Sequence, residues 1–131
     1  MSVESIRVEV SPGELIDKIT ILEIKSDRIE DKAKLANVRT ELGLLTATRD
    51  AAIEHVEKLA ELTTGLRKIN EKLWDIEDEI RLCEAAGDFG DKFIELARAV
   101  YISNDERARL KREINELLGS AIVEEKSYQP Y

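Results

Sequence analysis

Ser11-Pro12-Gly13-Glu14-Leu15-Ile16-Asp17-Lys18-Ile19-Thr20-Ile21-Leu22-Glu23-Ile24-Lys25 is the stretch that decides the fold. Its first four residues are a helix-start signal. A serine hydroxyl accepts from the free N–H groups of the first turn, proline fits the first helical position, and a glutamate three residues on can bond back to the cap. The helix is expected over about 12–29. Within it Leu15, Ile16, Ile19, Ile21, Leu22 and Ile24 spread around most of the circumference. A helix that is apolar nearly all round is a central one. Its polar members Asp17, Lys18, Thr20, Glu23 and Lys25 must then find partners, because unpaired buried charge is costly.

Upstream, Ile6, Val8 and Val10 alternate with Arg7 and Glu9, the period-2 pattern of a short half-buried strand. A lone strand leaves its backbone groups unpaired. The C-terminal tail from about Ala121, or the same segment of a second chain, is therefore expected beside it.

Downstream, residues 31–86 contain no proline, and Gly43 and Gly65 are their only glycines. Leu35, Val38, Leu42, Leu45, Ala52, Val56 and Leu59 follow one 3–4 spacing; Leu59, Leu62, Leu66, Ile69, Leu73, Ile76, Ile80 and Cys83 follow a second. One unbroken helix would run roughly 80 Å at 1.5 Å per residue. Two antiparallel helices turning between Thr46 and His55 suit a small domain better, with a continuous coiled-coil arm as the alternative. Ala86-Gly87-Asp88-Phe89-Gly90 is a clear break, glycine ending one helix and Asp88 offering a cap for the next. Phe93, Leu96, Ala97 and Val100 define that helix. Ser103-Asn104-Asp105-Glu106 looks like a second capping box, opening a last helix through Leu110, Ile114, Leu117 and Leu118. The expectation is a single mainly all-α domain over 1–131, an antiparallel helical bundle or long helical hairpin with a short N-terminal strand and an irregular C-terminal tail.

Composition narrows the function classes. Apolar residues make up 43% of the chain, enough for one core, while 37% are charged and the net charge is −8. That balance argues against nucleic-acid backbones and anionic membrane surfaces, which need basic footprints. No stretch longer than seven residues lacks a charge, which excludes a membrane-spanning helix. A basic-plus-apolar leader is missing from the N-terminus, so a cytoplasmic protein is expected. Cys83 is the only cysteine and reads as a small core residue; no disulfide and no thiolate zinc site can form within the chain.

His55 is the only histidine. A helix-bundle di-iron site needs two Glu-x-x-His pairs, and the residue three before His55 is Ala52. Glycine-rich phosphate loops are absent too. No metal and no cofactor is therefore expected. A polar cluster survives this elimination. Asn70, Trp74, Glu77, Arg81 and Glu84 lie at 3–4 spacing and form a stripe. Arg98, Tyr101, Asn104, Asp105, Arg107, Lys111 and Asn115 gather around the expected break before the last helix. With Asp17, Lys18, Thr20 and Glu23 from the first helix, three segments could converge on one pocket. The plainer reading is that Glu77–Arg81 is an ordinary i,i+4 pair and the rest are solvated faces or interhelical salt bridges.

The opening phrase 11–25 closely resembles that of a small bacterial family of unknown function. Asn70, Leu73-Trp74, Ile76-Glu77-Asp78 and Arg81 also match, as do Phe93, Leu96-Ala97-Arg98, Val100-Tyr101, Asn104-Asp105, Arg107-Ala108, Lys111-Arg112 and Ile114-Asn115. Gly119-Ser120 and Glu124-Glu125-Lys126-Ser127-Tyr128 close the resemblance, which spans nearly the whole chain. It implies a domain found alone or attached to glycosyltransferase-like and helical-repeat proteins, hence an association with glycan or surface-polysaccharide metabolism. It implies no catalytic residue. Leu15, Lys18, Ile19 and Leu22 also repeat a rhythm similar to the first helix of all-helical chorismate mutases. Those enzymes carry an early arginine there, and Ile16 stands in its place.

The leading expectation is a non-catalytic adaptor module, homodimeric, beside a protein partner in glycan processing. The alternative is a small-ligand-binding protein or enzyme, with Arg81, Arg98 and Lys18 holding an anionic sugar nucleotide or carboxylate and Glu77 or Asp17 as acid or base.

Overall fold

A computed structural model describes residues 2–131, among which there are four helices. Helix α1 spans Pro12–Arg28, α2 Lys32–Ala52, α3 Glu57–Ala86 and α4 Asp91–Leu117.

The all-α expectation holds, and α1 is the central helix. It packs against α2, α3 and α4, burying Leu15, Ile16, Ile19, Leu22 and Ile24. Ser11 caps it by accepting from the Glu14 N–H at 3.2 Å. Only half of the expected capping box forms, because the Glu14 carboxylate turns to Lys111 instead.

Residues 31–86 neither form one arm nor fold back as a hairpin. The chain leaves helix at Ile53–Val56, at the far end of the expected turn region, and His55 lies exposed there. Helices α2 and α3 do not pack against each other; α2 lies on α1 alone. Asp31 caps α2, accepting from the Lys34 N–H at 2.9 Å. Val38 is the only α2 residue buried outright.

Helices α3 and α4 run antiparallel as the long pair of the fold. Gly87, at φ 66°, ends α3 in the left-handed region that glycine adopts without strain. Asp88 does not cap α4 as expected. Gly90 holds the cap position, and Asp88 accepts the Gly90 N–H at 3.1 Å within the turn. Nor does α4 break at Ser103: it continues unbroken to Leu117. The inward stripe runs Leu96, Val100, Ser103, Arg107, Leu110, Ile114, so a 3–4 rhythm persists through two polar residues. Ser103 is a buried mid-helix residue whose hydroxyl has no partner.

Two core clusters divide this pair. Near the start of α3, Leu59, Leu62 and Leu66 pack with Leu110 and Ile114 of α4 and Ile16 of α1. Near the turn, Ile76, Cys83 and Leu96 pack with Ile80, Phe93 and Val100, all from α3 and α4. Cys83 is thus a core residue, as its spacing suggests. The turn end of the pair has no third helix covering it.

The expected strand over 6–10 does not form. Residues 2–10 have no regular structure, are exposed, and make no backbone–backbone hydrogen bond. The C-terminal tail does not join them; it runs back along α4 toward Tyr101.

Candidate functional site

The polar site is built where α1 starts. The Gly13 N–H donates to Asn115 Oδ1 at 2.7 Å, and a Cβ at Gly13 would lie 2.5 Å from the Lys111 carbonyl oxygen. Only glycine lets the two backbones approach this closely. That crossing lays the next turn of α1 against α3 and α4.

Asp17 sits at the junction, its side chain 1% exposed. The Arg107 guanidinium grips it with two prongs, Nε to Oδ1 at 2.9 Å and Nη2 to Oδ2. Asn70 Nδ2 donates to the same Oδ1 at 2.9 Å and to Thr20 Oγ1 at 3.0 Å. Thr20 in turn donates to the Asp17 carbonyl at 2.8 Å. The hydrogen bond to Asp17 holds the Arg107 pKa above its ordinary value against the opposing effect of burial.

One turn further along α4, Lys111 Nζ reaches Glu14 at 2.6 Å and Glu124 of the tail at 3.0 Å. Burial alone would pull the Lys111 pKa down, but its hydrogen bonds to Glu14 and Glu124 together raise it. For Glu124, burial pushes up, while the Ser11 hydroxyl at 2.6 Å and the Lys111 ammonium outweigh it and bring the pKa below 4.5. Three adjacent bonded groups, Ser11–Glu124–Lys111–Glu14, Gly13–Asn115 and Asp17–Thr20–Asn70–Arg107, therefore join α1, α3, α4 and the tail.

Six residues of the expected cluster meet here: Asp17, Thr20, Asn70, Arg107, Lys111 and Asn115. The others go elsewhere. Lys18 points to solvent. Trp74 is half-buried, with the Arg28 guanidinium 5.8 Å from its ring centroid. Glu77 and Arg81 form an exposed i,i+4 pair on α3. Arg98 is exposed, with no ion pair among the described residues. Tyr101, Asn104 and Asp105 line a groove. The three segments do not make one pocket with Trp74, Glu77, Arg81 and Arg98, because these lie on outward positions of α3 and α4.

Sequence reasoning missed Glu124 altogether, which no helical spacing could place. In the sequence Ser11, Gly13 and Glu14 signal only a helix start, and their second role across α4 has no local signal.

Between α4 and the tail lies a groove of ≈ 1110 Å³. Tyr131 stacks edge-on against Tyr101 with centroids 5.3 Å apart, and its hydroxyl donates to Asp105 at 2.5 Å. That hydrogen bond raises the Tyr131 pKa above its usual value. Every cation on the groove wall already has a carboxylate: Arg107 has Asp17, Lys111 has Glu14 and Glu124, Arg112 has Glu125, Arg109 has Glu106 and Glu113, and Lys126 has Asp105. An incoming anion would have to displace one of them. Among the described residues no group of three or more His, Cys, Asp or Glu side chains could hold a metal ion.

A family model described as a family of unknown function, DUF6165, matches residues 6–131. The chain belongs to DUF6165. The match begins five residues before the Ser11 cap and covers the whole tail, so the DUF6165 domain takes in both ends of the Ser11–Glu124 link. Comparison with curated proteins and with solved structures finds no significant match. No helix of this DUF6165 domain is long and apolar enough to cross a membrane.

Proposed function

We propose that this chain is a non-catalytic helical interaction module that docks a protein partner at the turn end of the α3–α4 pair. The observation that carries the reading is the contrast between the two ends of that pair. At the α1 end the charged groups are spent on one another, and the buried Asp17 carboxylate accepts three hydrogen bonds from Arg107 and Asn70. At the turn end Leu82, Phe89 and Ile94 are 69%, 55% and 54% exposed beside a core of only two helices. Three apolar side chains exposed around one turn are a feature that a docked partner would cover.

The module is read as cytoplasmic and homodimeric, with its partner among enzymes of bacterial glycan or surface-polysaccharide metabolism. The glycan association rests on the family resemblance alone. An enzyme acting on an anionic substrate is disfavoured because Arg81 and Arg98 lie apart from Asp17 and because the groove cations are already neutralised.

A triple variant, Leu82→Ser, Phe89→Ser and Ile94→Ser, tests this reading alongside a thermal-shift screen. Wild-type protein should capture a partner that the triple variant loses at a closely similar melting temperature. Sugar nucleotides, nucleotides and dicarboxylates should leave the melt unchanged. A ligand present at a hundred times its dissociation constant would stabilise by about 2.7 kcal/mol, and a hit of that size would overturn the adaptor reading.

A further inference from the structure

Ahead of the Ser11 cap the chain carries an apolar alternation that nothing covers. Ile6, Val8 and Val10 are 80%, 73% and 41% exposed. Between them Arg7 and Glu9 have no ion-pair partner among the described residues. Among the described residues, backbone groups of residues 2–10 bond to no other backbone group. The tail is not free to serve as the missing strand, being held to α4 through Glu125–Arg112, Lys126–Asp105 and Tyr131–Asp105.

The chemistry of Ile6-Arg7-Val8-Glu9-Val10 reads as its own complement. Laid antiparallel on a second copy with Val8 opposite Val8, Ile6 falls opposite Val10 and Arg7 opposite Glu9. All apolar side chains then share one face, and both charged pairs on the other are of opposite sign. A slip of one residue sets apolar against charged positions. A slip of two places Arg7 opposite Arg7 or Glu9 opposite Glu9, and parallel pairing in register aligns like charges as well. One register satisfies every position.

We propose that residues 6–10 pair with the same segment of a second copy of this chain, as a two-stranded antiparallel ribbon with Val8 on the two-fold axis. This rests on the homodimeric part of the reading above and supplies its geometry. Such an interface is isologous, each copy offering the same patch. A two-stranded ribbon is marginal by itself in water. The Ser11–Glu124 hydrogen bond holds the tail beside the root of the ribbon, so the ribbon would start from a fixed point on the helical body.

Light scattering of the full chain, with three variants, tests the ribbon. Wild type is expected to be a dimer. Arg7→Glu turns both opposite-charge pairs into like-charge pairs and should weaken dimerisation roughly tenfold. The double variant Arg7→Glu/Glu9→Arg re-creates both pairs and should restore it. Val8→Cys should cross-link to itself under mild oxidant, and Ile6→Cys should not, since it faces Val10. These positions lie outside the helices, so an unchanged melting temperature is the control for folding. A dimer indifferent to Arg7→Glu, with no Val8→Cys cross-link, overturns the ribbon and leaves the homodimer to another surface. A double variant that stays dissociated overturns the register. A wild type monomeric at all concentrations overturns both the ribbon and the homodimer.

Discussion

Asp17 and Arg107 are 90 positions apart and meet as a two-pronged ion pair, one partner buried and the other 30% exposed. The pair joins the first helix to the last. Asn70 donates to the same carboxylate, so α3 is fastened at the same point. A carboxylate so enclosed fixes how three helices sit, and the energetic weight of the cluster follows from its burial.

Removing the guanidinium should therefore be severe. Arg107→Ala leaves the Asp17 carboxylate buried without its counter-charge, an effect of about 3 kcal/mol or more in sites of this kind. Urea denaturation checks it. Arg98→Ala, at an exposed position with no partner, should stay within about 0.5 kcal/mol of wild type.

Two glycine substitutions should act with opposite signs. Gly13→Ala drives a Cβ into the Lys111 carbonyl and should destabilise by about 1–3 kcal/mol, since backbone on both sides has to move. Gly43→Ala meets nothing within 4 Å on an exposed helix and should stabilise by about 0.4–1 kcal/mol. Thermal melts of the two single variants measure both.

The Lys111–Glu124 link gives stability a pH dependence at both extremes. Glu124 has its pKa lowered below 4.5, so its contribution is present above 4.5 and is lost as the pH falls through the lower folded-state value. Lys111 has its pKa raised above 10.5, so its contribution is present below 10.5 and is lost as the pH rises through the higher folded-state value. Melting temperature against pH should show a shallower acid limb in Glu124→Gln than in wild type.

Ser103 offers a gain. Its buried hydroxyl has no hydrogen-bond partner, and alanine is the better helix former. Ser103→Ala should raise the melting temperature, corresponding to stabilisation of up to about 1 kcal/mol. A lower melting temperature would mean that the hydroxyl is satisfied in solution.

What could be read from the sequence was local. The Ser11-Pro12 start and the all-round apolar pattern of α1 are properties of one short stretch, and they place that helix at the centre. Helix α4 looks like two in the sequence because buried polar residues occupy its inward stripe. Ser103 and Arg107 interrupt the apolar rhythm at the place where an apparent capping box stands, so periodicity and capping agree on a break that tertiary contacts override. Asn70 is the same case on α3: its spacing places it in the buried stripe, yet its polarity grouped it with outward Trp74, Glu77 and Arg81. The site was legible as residue types and half-legible as geometry. Its long-range half, Gly13 with Asn115 and Ser11 with Glu124, is written in no local pattern.

The second core cluster contains no residue of α1, and that separation has a kinetic meaning. Near Asp75, the last α3 residue paired to α1, the domain has a seam. Beyond it, the stretch from Ile76 through the turn to Val100 can fray and re-form while the Asp17 junction stays shut. Its amides should exchange with solvent through these brief local openings, and those around Leu66 and Ile114 only when the whole domain unfolds. Anything that grips the turn end would close the faster route first, so slowed deuterium uptake there would report occupancy before any change in global stability could be seen.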